Sequence, residues 1–434
     1  MMHAPGVAAR IVHADHVLLG DSAPLRDGAV VLSPDGTVLD VGRADEIRPR
    51  HAGPPVERIE GIAFPGLINA HAHLELSALR GRVPGGRGFL PWVDALLALR
   101  LDAAPEESDE ALEQAASELH AFGTAAVGEV TNSLAAVDHL LRRGIQGSIF
   151  YEIFGIGADV VTRTEAMLAA QGERTKAWGP ALTYVPTAHT LHTTRADAVR
   201  KIAQHAKHEG LRTSLHLAEH AAERRALEHG DGPVTDWLRG RVRGATDIVW
   251  PKQSPIAYAD ALGALGPHML LVHLTDARPE ELQHVAGSGA KVVLCPRSNL
   301  HIEGLLPPLL AVRAAGIEPA LGTDSLASNA SLDVLAEARA LADRFPTVPA
   351  AELVRMATYH GAQALGRPHL GRIARGARPG IVAVDVPGAA QSTDGAALLL
   401  RHVKAPRRWL AAAAAPIASI ASVTSTASVP SEGL

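Results

Sequence analysis

The chain has 434 residues, 47% hydrophobic and 20% charged, with a net charge of −5 and 3% aromatics. That is globular composition, long enough for one large domain and an accessory one. With no basic block and few rings to stack on bases, nucleic acid is not expected as a partner. No apolar run reaches the length of a membrane span, so no membrane association is expected either. Cys295 is the single cysteine, which excludes an internal disulfide framework. It lies in an apolar run and reads as a buried small hydrophobe. His13, Asp15 and His16 break the N-terminal apolar run, unlike a secretory leader, and the cytoplasm is the compartment expected.

Residues 9–60 read as short strands and turns, with Ser33-Pro-Asp-Gly36 as a turn between two of them. This is a small β unit rather than a helical one. At about residue 61 the pattern changes. Strand candidates fall at 62–70, 124–130, 146–153, 180–186, 212–217, 268–273, 290–295 and 317–323. Amphipathic helical stretches at 106–121, 158–170, 195–209, 277–286 and 332–343 lie between them. The acidic cluster at 106–110 suits a helix N-terminus. Eight strand–helix units over this length favour a (β/α)8 TIM barrel over a doubly wound sheet. Residues 230–256 read as an insertion beside the barrel mouth. Residues 370–410 return to β-type sequence.

The expected architecture is therefore α/β. Residues 61–365 form the barrel, and residues 1–60 with 366–410 form a small β-sandwich domain built from both chain ends. Residues 411–434, rich in Ala, Ser and Thr, read as a low-complexity tail.

Side chains at the C-terminal ends of barrel strands converge on one mouth. The first strand ends in His71-Ala-His73, two residues before Glu75, and side chains two apart leave a strand on the same face. The fifth ends in His216-Leu-Ala-Glu219, the sixth in His273 and the eighth in Gly322-Thr-Asp324. Singly, each has an ordinary reading: Asp324 as a helix cap, His273 as a buried hydrogen-bonded ring, Glu219 as a solvated helix start. Together they describe a metal centre, with His71, His73 and His216 as nitrogen ligands and Asp324 as an oxygen ligand. That donor set suits one divalent metal per chain, zinc first and iron or manganese next. Such a metal lowers the pKa of water toward about 7. Asp324 would accept the water proton, His273 would polarise developing charge, and Glu219 would carry a proton to the leaving side. A carboxyl that donates at neutral pH needs the raised pKa that burial provides.

As a set, Pro65-Gly-Leu-Ile-Asn-Ala-His-Ala-His73, His216-x-x-Glu219, His273 and Gly322-Thr-Asp324-Ser resemble the amidohydrolase superfamily, over nearly the whole chain. The His-x-x-Glu is similar to the cytosine- and adenosine-type deaminase branch. Within it, His71-Ala-His-Leu-Glu-Leu-Ser-Ala-Leu-Arg-Gly, Phe89-Leu-Pro-Trp92, Glu129-Val-Thr-Asn132, Phe150-Tyr-Glu152 and Cys295-Pro-Arg-Ser-Asn299 resemble aminodeoxyfutalosine deaminases of the alternative menaquinone pathway. That likeness implies deamination of 6-amino-6-deoxyfutalosine, with Glu75, Glu152, Arg297 and Asn299 lining the substrate pocket. Arg297 and Asn299 have an equal claim as loop organisers. One departure stands out. Related deaminases carry Pro-His-Ala-Pro-Tyr after the fourth strand, and here it is Val185-Pro-Thr-Ala-His189-Thr-Leu-His192. Either His189 or His192 would supply the displaced imidazole to the substrate.

The partner expected is a small-molecule substrate, with a homo-oligomer allowed. A related hydrolase of guanine, cytosine, methylthioadenosine, a triazine or an imidazolone fits the strand-end residues nearly as well. A non-catalytic barrel would have lost ligands. A two-metal hydrolase would place Lys at the end of the fourth strand, where none stands.

Overall fold

A computed structural model describes residues 9–100, 105–242, 245 and 248–413. In chain order, β1 (Arg10–Val17), β2 (Leu25–Leu32), β3 (Val38–Arg43) and β4 (Val56–Pro65) come first. The barrel strands follow: β5 (Leu67–His73), β6 (Thr124–Thr131), β7 (Gln146–Ile153), β8 (Leu182–Ala188), β9 (Thr213–Leu217), β10 (Met269–His273), β11 (Lys291–Leu294) and β12 (Ala320–Leu321), with the short β13 (Asp324–Ser325). The chain ends its described course with β14 (Ile381–Asp385) and β15 (Arg407–Ala411).

The barrel strands are parallel and ordered β5-β6-β7-β8 and β9-β10-β11-β12. They are rich in Val, Ile, Leu and Ala and almost wholly buried, as parallel strands covered on both faces must be. Two seams join the halves. At one, Thr187 Oγ1 donates to Ser214 O at 2.6 Å and His216 N donates to His189 O at 3.1 Å. At the other, Thr323 N donates to His71 O at 3.0 Å. Helices cover the outside. The helix Ala196–His208 buries Ala198, Val199, Ile202, Ala203 and Ala206, one stripe of an amphipathic helix, against the strands.

The other strands form one six-stranded sheet, β15-β14-β4-β1-β2-β3. Its middle joins the two ends of the chain, with Ala383 opposite Ala63 and Val382 opposite Phe64. Among the described residues all six strands are hydrogen-bonded into this one sheet and contribute side chains to one shared core. Arg407 ties it to the barrel by a buried bidentate pair with Asp333, both contacts at 2.7 Å.

Several expected boundaries shift. The apolar run at 62–70 hides two strands, because the chain leaves the sheet at Gly66 and re-enters as β5; the small sheet thus reaches Pro65, past residue 60. The N-terminal unit contains a short helix, Ala44–Arg50, seated on the sheet through Ala44 and Ile47. The strand β15 continues to Ala411, opposite Ile381, and Ala413 is buried. The remaining stretch, 414–434, lies outside the described residues. The insertion carries the helix Pro233–Arg241, which meets the helix Phe89–Arg100 where Trp237 Nε1 donates to Asp94 Oδ1 at 2.7 Å. Among the described residues no helix is long and apolar enough to cross a membrane.

Candidate active site

Four donor atoms from three parts of the barrel meet at its C-terminal end. His73 Nε2 lies 3.2 Å from His71 Nε2 and 3.3 Å from His216 Nε2. Asp324 Oδ1 lies 3.6 Å from His71 Nε2 and 3.5 Å from His73 Nε2. The local sequence dictates the approach. Gly322 packs so tightly that an added Cβ would sit 2.6 Å from His71 Cβ. Asn69 then receives Thr323 N at 3.1 Å and donates to Thr323 Oγ1 at 2.7 Å, holding β12 beside β5.

This cluster fits a divalent cation. His216 Nδ1 donates to His189 O at 3.0 Å, so its Nε2 keeps the lone pair and turns it toward His73. Burial, reinforced by His71, pushes His73 down to about 3, so it stays neutral. His216 thus turns a lone pair on a neutral His73 in a buried place, and a cation is a shared partner that would suit both. Asp324 completes the set as the anion. Burial opposes its charge, but the bond to His71 and the surrounding imidazoles outweigh burial and hold its carboxyl well below the usual range. Its Oδ2 is occupied, accepting from Ser298 Oγ at 2.5 Å and Ser328 Oγ at 3.2 Å, which leaves Oδ1 for the cluster.

Glu219 and His273 stand on the next strand ends, with Glu219 Oε1 3.6 Å from His273 Nε2. Burial, with Asp324 and Glu223 adding repulsion, raises the Glu219 carboxyl well above its ordinary value. Burial lowers His273 to about 4. The backbone is left-handed at Ala218 (φ 49°), His273 (φ 78°), Leu274 (φ 50°) and Asp324 (φ 56°). Non-glycine residues rarely adopt this region, and such strain concentrates at functional sites.

The expected substrate contacts divide. Glu152 and His189 belong to the cluster: their ligand-type atoms and those of His216 lie within 4.8 Å of one another. Glu152 Oε1 is buried without a hydrogen-bond partner, and burial, with Glu75 adding repulsion, raises its carboxyl to about 8. The His189 ring lies 5.1 Å from that of His216 and its Nδ1 is 2.6 Å from Thr193 Oγ1. His192 is buried against His220, rings 6.0 Å apart. Thr187, in the place of the displaced histidine, stitches β8 to β9 through Ser214.

Glu75 is already engaged. It accepts from Thr131 Oγ1, Asn132 N, Ser133 N and Ser133 Oγ at 2.9–3.2 Å and from Arg100 at 3.0 Å. Arg297 is spent on the loop: its N donates to Glu337 at 2.8 Å and its guanidinium to Ser331 at 3.1 Å. Asn299 Nδ2 donates to His273 Nδ1 at 3.2 Å, so it touches an imidazole rather than open space. Sequence reasoning passed over Ser298, Ser328 and Asn69, and also Glu129, whose two oxygens both accept Leu74 N at 3.1 Å directly after His73. Asn69, Ser298 and Glu129 carried a signal by lying inside the quoted motifs, and Ser328 carried none.

The model of the amidohydrolase family matches residues 62–427. An aminodeoxyfutalosine deaminase of Deinococcus radiodurans is 29% identical over 368 residues, 82% of this chain and 86% of the relative. A 5-methylthioadenosine/S-adenosylhomocysteine deaminase of Nitratidesulfovibrio vulgaris is 30% identical over 381 residues, 83% of this chain and 80% of the relative. The crystal structure of Helicobacter pylori aminofutalosine deaminase with methylthio-coformycin superposes with a TM-score of 0.83, covering 93% of this chain and 99% of that one at 24% identity, a likeness of fold.

Proposed function

The chain belongs to the amidohydrolase family, and from that premise we propose that it deaminates an aminopurine nucleoside, converting 6-amino-6-deoxyfutalosine to futalosine and ammonia in menaquinone synthesis. Hydrolytic cleavage of a C–N bond is the activity of its deaminase relatives, and an adenosine-type nucleoside is the substrate class they support. The observation that carries the mechanism is Glu219. It is a buried carboxyl raised well above its ordinary value by burial, 3.6 Å from His273 and beside the four-donor cluster. The finer substrate rests on the Deinococcus relative and on the segments around Glu75, Trp92, Glu152 and Asn299.

His71, His73, His216 and Asp324 would hold a divalent cation, zinc by the chemistry of these donors, which would supply Lewis acidity and lower the pKa of water toward about 7. Asp324 takes the proton of the attacking water, with Ser298 and Ser328 holding its carboxylate in place through Oδ2. Glu219 gives its proton to the ring nitrogen next to the attacked carbon. His273 Nδ1 accepts from Asn299, so Nε2 carries the ring proton and faces the oxygen that gains charge. Asp324 then passes its proton to the amine, which departs as ammonia, while the hydroxyl proton of the attacked carbon restores Glu219. Glu152 and His189 are assigned to the nucleoside. Ammonia release by metal-analysed protein tests this: an adenosine-type nucleoside should be turned over, and Glu219→Gln should silence it with metal retained. Turnover of triazines or cytosine alone would move the substrate outside the purines.

A further inference from the structure

Glu219 and His273 sit at the ends of two strands, on two separate turns with left-handed backbone. The β9–β10 ladder runs up to these turns, with His273 opposite Leu217, but proton transfer tolerates little misplacement beyond it. The first turn of the helix Ala221–His229 supplies a further constraint, made by side chains. Glu223 reaches back to the first turn, accepting Ala218 N at 3.2 Å and Glu219 N at 2.9 Å. Its neighbour Arg224 reaches across to the second, donating Nε to Asp276 Oδ2 at 2.5 Å and Nη2 to Asp276 O at 2.6 Å. The same guanidinium forks onto Glu281 at 2.9 and 2.8 Å, and Glu281 accepts Arg278 N at 2.8 Å, which anchors the next helix, Pro279–Ser288. The two turns are also laced directly, Leu274 N donating to Leu217 O at 3.2 Å and Asp276 N to Ala218 O at 2.8 Å. Glu223 and Arg224 are themselves buried.

We propose that Glu223 and Arg224 are positioning residues for the deamination step, a bracket that joins the turn bearing Glu219 to the turn bearing His273 and so fixes the pair. This rests on the reading of Glu219 and His273 given above. A bracket differs from an ordinary buried ion cluster in one respect: loosening either turn loosens the other. A cluster that only stabilises the fold lowers the amount of folded protein and nothing else.

Arg224→Ala would leave Glu228, Glu281 and Asp276 without their shared cation, a change that risks the fold itself. The test therefore uses Glu223→Gln and Asp276→Ala, with Asp276→Asn as the conservative variant that keeps an acceptor for Arg224. Metal per chain, melting temperature, kcat and KM are measured on purified holoenzyme, together with hydrogen exchange at the amides of 217–219 and 273–276. The expected result is kcat down by roughly ten- to a hundredfold, metal content unchanged, KM moved by less than about threefold, and partial rescue in Asp276→Asn. Exchange should rise at both turns in each variant. Unchanged kcat, or a loss of kcat that only follows loss of metal or of folded protein, overturns the proposal. So does exchange that rises only at the turn whose contact was cut. Should the wild type release ammonia from no nucleoside offered, the reading of function fails, and the exchange result alone then decides whether the two turns are coupled.

Discussion

Ser298 donates its hydroxyl to Asp324 Oδ2 at 2.5 Å, and this fixes which carboxylate oxygen faces the histidines. Groups that orient a ligand without touching the metal are commonly worth 10- to 100-fold in metal affinity or activity. Ser298→Ala is expected to weaken metal affinity or kcat by about 10-fold or more, measured by competition with a chelator and by ammonia release. Asp324→Asn, which replaces the ligand itself, should abolish turnover with the circular dichroism spectrum unchanged. Persistent activity in Asp324→Asn would show that its carboxylate is not the proton acceptor.

Glu219 acts in its protonated form, so activity should fall as pH rises through its raised pKa. Glu219→Gln cannot give up a proton, and kcat should drop by roughly 10²- to 10⁴-fold with metal per chain intact. The variant and wild type compared by metal analysis and a kcat–pH profile make the check. A variant that loses its metal as well would indicate that Glu219 supports the metal centre instead.

Glu152 offers a stability signature. Its folded carboxyl is raised by burial to about 8 from an ordinary 4.5. Between those values the folded chain holds a proton that the unfolded chain has released, so its contribution to stability is full below about 4.5 and is lost as pH rises through 8. The full loss is on the order of 5 kcal/mol. In metal-free protein, urea midpoints should therefore fall between pH 6 and 9, and Glu152→Gln should flatten that slope. Equal slopes in both proteins would place the buried proton elsewhere.

His189, not His192, stands at the cluster beside Glu152 and His216. His189→Ala is expected to lower kcat/KM by roughly tenfold or more, by about the 1.5 kcal/mol or more of a lost hydrogen bond to a charged or reacting group, with little change in melting temperature. His192→Ala empties a buried site against His220 and should cost stability first. The reverse assignment would appear as a kinetic loss in His192→Ala alone.

The barrel and the cluster at its strand ends were legible because βα alternation is a period visible along the chain and strand ends share one face by geometry. His71, His73, His216, Glu219, His273 and Asp324 needed no knowledge of loops. What escaped depends on contacts made only after folding. The helix Ala44–Arg50 is short, contains Pro49 and lacks a side-chain cap, so nothing local announces it. The break between β4 and β5 hides in one apolar run. Glu75 and Arg297 look like free charges in sequence, but Glu75 is held by loop amides, hydroxyls and Arg100, and the Arg297 guanidinium by Ser331 and Glu337. Ser298 and Ser328 are ordinary serines until the fold sets them on one carboxylate oxygen.

The central claim is best tested by kcat/KM for ammonia release from 6-amino-6-deoxyfutalosine against adenosine, 5′-methylthioadenosine, S-adenosylhomocysteine, guanine and cytosine, on protein whose metal has been counted. The account predicts the highest value for the first, at about one metal per chain. Preference for methylthioadenosine or adenosine would keep the mechanism and contradict the assigned substrate. Metal-loaded protein that releases ammonia from none of them would contradict the account as a whole.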